Sequence, residues 1–347
     1  MSAGRTARAA TLRDPAANLD IPRFTDVLEA RSRIRPYLEP TPLRHYPGLT
    51  ALTDAETWVK HENFQPTGAF KVRGGVNLIS RLSDDERRRG VMAASTGNHG
   101  QSIAYAARIF GVSAIICAPT NANRVKVRSM QELGAEVILH GADYDEAREH
   151  CEELAQGRAC RYVHSGNEAL LIAGVATHTL EALEARPDLD VVIVPVGGGS
   201  GAAGACIAAH AINPAVEVIG VQSEQAPAAC LSWRAGRMTT AANTTIAEGL
   251  ATRTAFDLPQ RIMRELLTDF VLVSDDEIRG AVRHMIDHTR TLVEPAGAAP
   301  LAAAIKLRAR LEGRRVALVC SGGNITPEQL QAVLSVPSSD APPAGAE

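Results

Sequence analysis

Short apolar runs alternate along the chain with longer stretches in which apolar residues recur about every 3.6 positions. The run Val191-Val192-Ile193-Val194 is continuously apolar, which is typical of a strand covered on both faces. Strands that alternate with helices predict an α/β fold whose parallel sheets are built from βαβ units. The predicted strands cover residues 57–61, 90–95, 113–118, 136–140, 161–165, 190–196, 217–222, 269–274 and 315–320.

Nine strands are many for one sheet, so we expect two twisted, mainly parallel sheets flanked by helices. The 347 residues also correspond to about two domains. We expect a large domain made of residues 21–87 and 167–335, with a small domain over residues 88–166 inserted in it. Residues 1–20 lack the apolar centre of a secretory signal, and residues 336–347 are rich in proline and small residues, so both are expected to be disordered tails.

Composition argues against two classes of partner. The chain has 36 basic and 39 acidic residues and only 4% aromatic residues, so no surface for nucleic acid is indicated. No stretch approaches the ~20 apolar residues of a membrane span.

Because the six cysteines form no CxxC pair, we expect reduced, mostly buried thiols and a cytoplasmic protein. The cysteines are Cys117, Cys151, Cys160, Cys206, Cys230 and Cys320.

The segment that follows the first predicted strand, residues 62–71, places a lysine at a helix start. Pro66 and Gly68 indicate a turn, and Thr67 is a candidate N-cap. Lys71 would then lie in the first turn of the next helix, facing the positive end of the helix dipole, which favours the neutral amine. Schiff-base chemistry requires that neutral amine. The alternative is an exposed surface lysine.

A second strand-to-helix turn is polar and contains two glycines. Its residues are Ser95, Thr96, Gly97, Asn98, His99 and Gly100. The free N–H groups of a helix N-terminus form a ready site for a carboxylate or phosphate. The alternative is an ordinary helix cap, with His99 as a packing residue.

Residues 197–204 read Gly-Gly-Gly-Ser-Gly-Ala-Ala-Gly, follow the most apolar strand and open a helix. A glycine run at that place is a strong signal for an anion cradle. The same residues satisfy the dinucleotide fingerprint as Gly199-x-Gly201-x-x-Gly204, with Glu224 about 20 residues further on. A dinucleotide site therefore competes with a cradle for another phosphate-bearing cofactor.

A fourth turn, residues 321–324, follows the predicted strand 315–320 and reads Ser-Gly-Gly-Asn. Ser321 either hydrogen-bonds a heteroaromatic nitrogen or belongs to a tight turn. Glu294 either lines a site or ends the preceding helix. His284 and His288 have the i,i+4 spacing of a metal pair, but such pairs are more often solvated or packed, and we expect no metal.

Four segments now follow one another along the chain: the lysine turn (residues 62–71), the polar turn (95–100), the glycine loop (197–204) and the C-terminal turn (321–324). In this order they resemble the serine/threonine dehydratase (threonine ammonia-lyase) family. Its members are pyridoxal-phosphate (PLP) enzymes of fold type II, the tryptophan synthase beta-like fold. The resemblance runs from about residue 25 to 335. It implies a PLP cofactor bound by the large domain, a small-molecule amino acid substrate over which the small domain closes, and a homodimer.

The resemblance also assigns roles to residues. Lys71 would form the Schiff base with PLP, with Phe70 packed beside the cofactor. Asn98 would hydrogen-bond the phenolic oxygen, and Ser321 would meet the pyridine nitrogen. The phosphate would contact Gly197, Gly198, Gly199, Ser200 and Gly201, and the substrate carboxylate would be surrounded by Ser95, Thr96, Gly97, Asn98 and His99.

The implied reaction is the β-elimination of L-threonine or L-serine, which gives ammonia and 2-oxobutanoate or pyruvate. A neutral Ser321 would leave the pyridine nitrogen largely unprotonated, which favours prompt elimination over a long-lived carbanion. Alternatives are a dehydratase of 3-hydroxyaspartate or of a hydroxyectoine-derived intermediate, a nicotinamide-dependent dehydrogenase, and a non-catalytic amino-acid sensor.

The chain departs from the family pattern at three positions. Thr96 stands where racemase relatives carry a serine that acts as acid and base, so racemase activity is not expected. Ser200 replaces a glycine and adds a hydroxyl near the phosphate. Cys230 replaces an aspartate that binds a cation together with a residue matching Glu224, so no cation is expected there. Because the chain ends soon after Ser321, without a regulatory domain, we expect no inhibition by isoleucine.

Overall fold

The computed structural model describes residues 20–335, so the tail predictions for residues 1–19 and 336–347 lie outside the described residues. Within the described range, ten strands form two sheets. The strands are β1 Leu43–His45, β2 Glu56–His61, β3 Val91–Ala94, β4 Ala114–Ala118, β5 Glu136–Leu139, β6 Arg161–Tyr162, β7 Val191–Pro195, β8 Glu217–Ser223, β9 Asp269–Val273 and β10 Arg315–Cys320.

The larger sheet has six strands in the order β1-β2-β10-β7-β8-β9. All neighbours pair in parallel except β1 and β2, which are antiparallel at one edge. Val192 and Val194 of β7 belong to one apolar cluster, and Val191 and Ile193 belong to another. Both faces of β7 are therefore covered, which explains its continuous apolar run, and each such side chain contributes about 1.5–3 kcal/mol on burial.

The smaller sheet has four parallel strands in the order β5-β4-β3-β6. Its strands fall between Val91 and Tyr162. They therefore lie within the segment 88–166 that was expected to form an inserted domain. The exact domain boundaries stay a prediction.

Helices connect the strands and cover both faces of the larger sheet. The helices are α1 Phe24–Ile34, α2 Pro47–Thr53, α3 Lys71–Ser80, α4 Asp84–Arg89, α5 Asn98–Phe110, α6 Arg124–Glu132, α7 Tyr144–Gly157, α8 Ala169–Ala185, α9 Ser200–Ile212, α10 Ala228–Ala235, α11 Asp257–Leu266, α12 Asp275–Thr289, α13 Pro295–Lys306, α14 Arg308–Leu311 and α15 Pro327–Ser335, with 3-10 turns at Glu62–Phe64 and Glu248–Leu250. Across residues 20–335, no helix has both the length and the apolar composition needed to cross a bilayer.

The predicted α/β fold with two mainly parallel sheets is confirmed. Each of the nine predicted strands overlaps an observed strand, although the one expected over residues 161–165 pairs only at Arg161–Tyr162. The sequence did not predict β1, whose residues are partly or largely exposed. Because Arg44 and His45 are polar, this edge strand shows neither a buried run nor a clear alternation.

Candidate active site

The turns that carry the lysine, the glycine run and Ser321 converge because their strands are neighbours. β10 pairs with β2 on one side and with β7 on the other, so the three turns lie side by side at the carboxyl edge of the larger sheet. The polar turn after β3 of the smaller sheet borders the same cavity of about 420 Å³. The cavity is lined by every candidate residue, namely Phe70, Lys71, Ser95, Thr96, Gly97, Asn98, His99, Gly197, Gly198, Gly199, Ser200, Gly201 and Ser321.

Helix α3 begins at Lys71, so the lysine lies in the first helical turn as predicted. The prediction that Thr67 caps this helix is wrong, because the N-cap position is Phe70 and makes no side-chain cap bond. The Thr67 hydroxyl instead lies 3.5 Å from the carbonyl oxygen of Ala69. The turn continues to residue 70 because Ala69 forms an antiparallel bridge with Gly322.

The Lys71 amine is held inside the cavity by two uncharged oxygens. Its Nζ donates to Ser200 Oγ at 2.7 Å and to the carbonyl oxygen of Ser165 at 3.1 Å. The Phe70 ring centroid is 5.3 Å from Nζ. Burial lowers the pKa of Lys71 to about 8, so a sizeable neutral fraction exists near neutral pH. The alternative of an exposed surface lysine is wrong.

Ser95 organises the N-terminus of α5. Its Oγ accepts hydrogen bonds from the backbone N–H groups of Gly97 at 3.0 Å and Gly100 at 2.9 Å. A hydroxyl that accepts twice still has one hydrogen to donate to a ligand. The backbone N–H groups of Asn98 and His99 belong to the first helical turn and need partners from outside the helix. Together these donors can bind a carboxylate.

The His99 side chain is uncharged. Its Nε2 lies 3.3 Å from the carbonyl oxygen of Val163, and because a carbonyl only accepts, the ring proton is on Nε2. Burial, together with the neighbouring Lys71 charge, lowers the pKa of His99 to about 3. His99 can therefore contribute a backbone N–H to an anion but not a positive charge.

The glycine loop is shaped by close packing behind it. A Cβ on Gly197 would lie 2.2 Å from the carbonyl oxygen of Gly249, a contact that real side chains do not make. Gly199 precedes α9 with a φ of +90°, which favours glycine. The free N–H groups at the start of α9 therefore border the cavity at close range and form an anion cradle.

Ser321 and Glu294 also line the cavity. Ser321 is buried, and its carbonyl oxygen accepts from the backbone N–H of Phe70 at 3.0 Å. Glu294 is the buried N-cap of α13, lines the cavity and accepts from Asn98 Nδ2 at 2.7 Å. Burial raises the pKa of Glu294, although the Lys126 charge opposes the shift. Glu294 therefore lines the cavity and does not end the preceding helix, α12, whose last residue is Thr289.

Three ion pairs join distant segments at or next to the cavity, and sequence reasoning did not find them. Lys126 of α6 pairs with Glu248 of the 3-10 turn, and both line the cavity. Arg253 pairs with Asp143 at 2.7 Å and with Asp145 at 2.6 Å, at the start of α7. Such contacts join segments that are more than 100 positions apart, and no local pattern marks them.

The arrangement fits a cofactor that carries both a carbonyl and a phosphate. The Lys71 amine supplies a nucleophile for the carbonyl, and Ser200, to which it is bonded, begins the helix that cradles the phosphate. PLP has both groups. The dinucleotide alternative lacks its acidic partner, because Glu224 is not part of the cavity wall and pairs instead with Lys306 at 3.3 Å. Over residues 20–335, no three His, Cys, Asp or Glu side chains are grouped to hold a metal ion.

Comparison with known proteins agrees with this geometry. The family profile described as "Pyridoxal-phosphate dependent enzyme" matches residues 34–322. The chain is 38% identical over 311 residues to L-threonine ammonia-lyase of Thermotoga maritima, covering 89% of this chain and 77% of that protein. It is 36% identical over 312 residues to the catabolic L-threonine dehydratase TdcB of Escherichia coli K12, covering 88% and 94%. The solved structure of maize serine racemase matches with a TM-score of 0.86 and 31% identity, covering 91% of this chain and 97% of that chain. The chain therefore belongs to the pyridoxal-phosphate dependent enzyme family, and its cofactor is PLP.

Proposed function

We propose that this enzyme is a β-hydroxy amino acid dehydratase that converts L-threonine to 2-oxobutanoate and ammonia, and L-serine to pyruvate and ammonia. The observation that carries the proposal is that one cavity combines the half-buried Lys71 amine with two helix N-termini, those of α5 and α9. PLP, when bound, supplies the electron sink that makes the Cα proton of an amino acid acidic. One helix N-terminus serves its phosphate, which leaves the other for the carboxylate of the substrate.

Lys71 accepts the Cα proton in this proposal. Its pKa of about 8 makes the neutral amine available at working pH. Its two partners, Ser200 Oγ and the Ser165 carbonyl, keep the amine in the cavity without a carboxylate that would fix its charge. The Cα proton and the β-hydroxyl leave the substrate as water, and the released product tautomerises and is hydrolysed to the 2-oxo acid and ammonia.

The polar turn selects an α-amino acid. The Ser95 hydroxyl proton and the backbone N–H groups of Asn98 and His99 bind the carboxylate, which fixes the Cα bonds relative to the amine. Ser321 lines the cavity and would be an uncharged partner for the pyridine nitrogen, so the nitrogen would gain no proton from the protein. This limits carbanion stabilisation and favours loss of the hydroxyl.

We also infer that the enzyme is a cytoplasmic homodimer. Support for the compartment comes from the six free cysteines, of which only Cys160 is partly exposed. The homodimer is supported by the family resemblance alone, and sedimentation of the holoenzyme tests it.

The function is tested with Lys71→Ala and with Lys306→Ala as a matched control on an exposed lysine. Release of 2-oxo acid from L-threonine and L-serine should fall by at least about 10²–10⁴-fold in Lys71→Ala and stay within twofold in Lys306→Ala. Borohydride treatment of the wild-type holoenzyme should attach the cofactor to the peptide that contains Lys71, as read by mass spectrometry.

A panel of substrates separates the competing activities. Turnover of 3-hydroxyaspartate well above that of threonine would replace the proposed substrate and keep the reaction class. Bound cofactor without ammonia release from any amino acid would favour a non-catalytic sensor. If Lys71→Ala kept wild-type turnover, the assignment of the base would be wrong.

A further inference from the structure

Asn324, the last residue of the turn after β10, connects three of the loops that build the cavity. Its Nδ2 donates to the carbonyl oxygen of Thr67 in the lysine turn at 2.9 Å and to Asn98 Oδ1 in the polar turn at 2.7 Å. Gly68 makes room for it, because a Cβ at that glycine, whose φ is +67°, would lie 2.5 Å from Asn324 Oδ1. One side-chain amide therefore spans the lysine turn, the polar turn and its own turn.

The direction of each hydrogen bond follows from a single obligatory acceptor. The Thr67 carbonyl can only accept, so the Asn324 atom that faces it must be the NH₂ group. The second hydrogen of that NH₂ group then meets Asn98, whose facing atom must be the acceptor Oδ1. Asn98 consequently turns its own NH₂ group away from Asn324, towards Glu294 Oε1 at 2.7 Å. The hydrogen bonds therefore all run in one direction, with Asn324 donating to Asn98 and Asn98 donating to Glu294. We call this direction the polarity of the network.

This polarity determines what Asn98 can offer to a ligand. Its Oδ1 accepts from Asn324, and one hydrogen of its NH₂ group is used by Glu294. Asn98 lines the cavity, so the remaining N–H is the group it presents there. An N–H binds an anionic oxygen such as the phenolate of PLP, whereas a carbonyl oxygen in the same place would repel it.

We propose that Asn324 is a positioning residue that, together with Glu294, holds Asn98 as a hydrogen-bond donor to the phenolic oxygen of PLP. The proposal extends the proposed function, since it concerns how the same site prepares its cofactor. Asn324 acts through Asn98, and the geometry requires no contact between Asn324 and the substrate.

Asn324→Asp tests the polarity with almost no change of shape. The new carboxylate would face two acceptors, the Thr67 carbonyl and Asn98 Oδ1, so the Asn98 amide must turn or lose its partner. We expect PLP to bind the apoprotein about tenfold to hundredfold more weakly. We also expect the pH titration of the absorption bands of the bound cofactor to shift. In steady-state kinetics, kcat should fall by a larger factor than KM rises. Asn324→Ala, which removes the donor without adding an acceptor, should give a smaller shift.

The matched control is Asn63→Asp. Asn63 also donates its Nδ2 to a backbone carbonyl, that of Leu292, at 3.0 Å, but it does not touch Asn98. This control should bind PLP within twofold of wild type, with an unchanged titration. The proposal is overturned if Asn324→Asp and Asn324→Ala, folded by circular dichroism, titrate like Asn63→Asp. Because these readouts do not need turnover, they stand even if the wild-type enzyme fails to dehydrate threonine.

Discussion

Glu62 and Arg73, eleven positions apart, form a bidentate ion pair that joins the two ends of the segment carrying Lys71. Arg73 Nε lies 2.7 Å from Glu62 Oε2, and Arg73 Nη2 lies 2.9 Å from Glu62 Oε1. Both side chains are at most 1% exposed. Although burial opposes it, the Arg73 charge and hydrogen bonds lower the pKa of Glu62 to about 2. Arg73 also bonds Glu181 of α8, which pairs with the buried Lys60, so the four charges balance.

Arg73→Met should destabilise the enzyme strongly. It removes the only cation that forms an ion pair with the buried Glu62 among residues 20–335 and one of the two cations beside Glu181, a change that costs roughly 3–5 kcal/mol. Chemical denaturation of the holoenzyme measures the loss. Arg88→Met is the control, because Arg88 is 71% exposed in its pair with Asp85, and surface pairs contribute about 1 kcal/mol or less. Equal midpoints for the two variants would show that the Glu62–Arg73 pair is not a major source of stability.

The Lys71 amine should react in its neutral form at a lower pH than a surface lysine. Burial lowers its pKa to about 8, so in the cofactor-free protein its labelling by an acylating reagent should rise to half-maximum near pH 8 and level off above it. Lys306 is the internal control, since hydrogen bonds from its ammonium to Glu224 and Glu277 outweigh the opposing effect of burial and raise its pKa.

Mass spectrometry of the two peptides after competitive labelling measures both curves. A midpoint for Lys71 at or above that of Lys306 would contradict the expected shift.

Gly197→Ala should weaken cofactor binding. The new Cβ would lie 2.2 Å from the backbone oxygen of Gly249, so the glycine loop or the 3-10 turn Glu248–Leu250 must move. Overpacking of about 1–3 kcal/mol corresponds to a roughly fivefold to hundredfold loss of PLP affinity, measured by fluorescence titration. Gly280→Ala is the control, because a Cβ in that part of α12 meets nothing within 4 Å. It should leave PLP affinity unchanged and stabilise the helix by roughly 0.5–1 kcal/mol.

Arg253→Gln should raise the KM for threonine without a large change in stability. The side chains of its pairs with Asp143 and Asp145 are 34–49% exposed, so these pairs contribute about 1 kcal/mol or less. That is enough to change the population of the form in which the small domain closes over the substrate by up to about fivefold. Salt screens exposed charges, so the KM of the wild-type enzyme should rise with ionic strength towards that of Arg253→Gln. A wild-type KM that does not depend on ionic strength would argue against a role of these pairs in closure.

The buried strands could be predicted because their physics is local. Strands of a sheet covered on both faces must be apolar throughout, as Val191–Pro195 shows. The ends of elements depended on tertiary contacts. The segment after Tyr162 has strand-like composition, but the carbonyls of Val163 and Ser165 bond His99 and Lys71 instead of a neighbouring strand.

The site was predictable where a turn carries its own signal and not where a residue acts through a distant partner. The glycine run and the lysine turn follow strands directly, so their place at the sheet edge could be foreseen. Asn324 stood within a turn of interest, but its role depends on contacts with Thr67 and Asn98, 257 and 226 positions away. Thr67 had the composition of a helix cap, and the bridge between Ala69 and Gly322 moved the helix start beyond it.

The two oxygens that hold the Lys71 amine come from different sheets. Ser200 follows β7 of the larger sheet, whereas Ser165 follows β6 of the smaller one. If the two sheets separate to admit a ligand, the amine keeps one tether and loses the other. The orientation of Lys71 Nζ therefore depends on how far apart the two sheets lie. The amine is fully held for reaction only when the sheets have come together around the ligand.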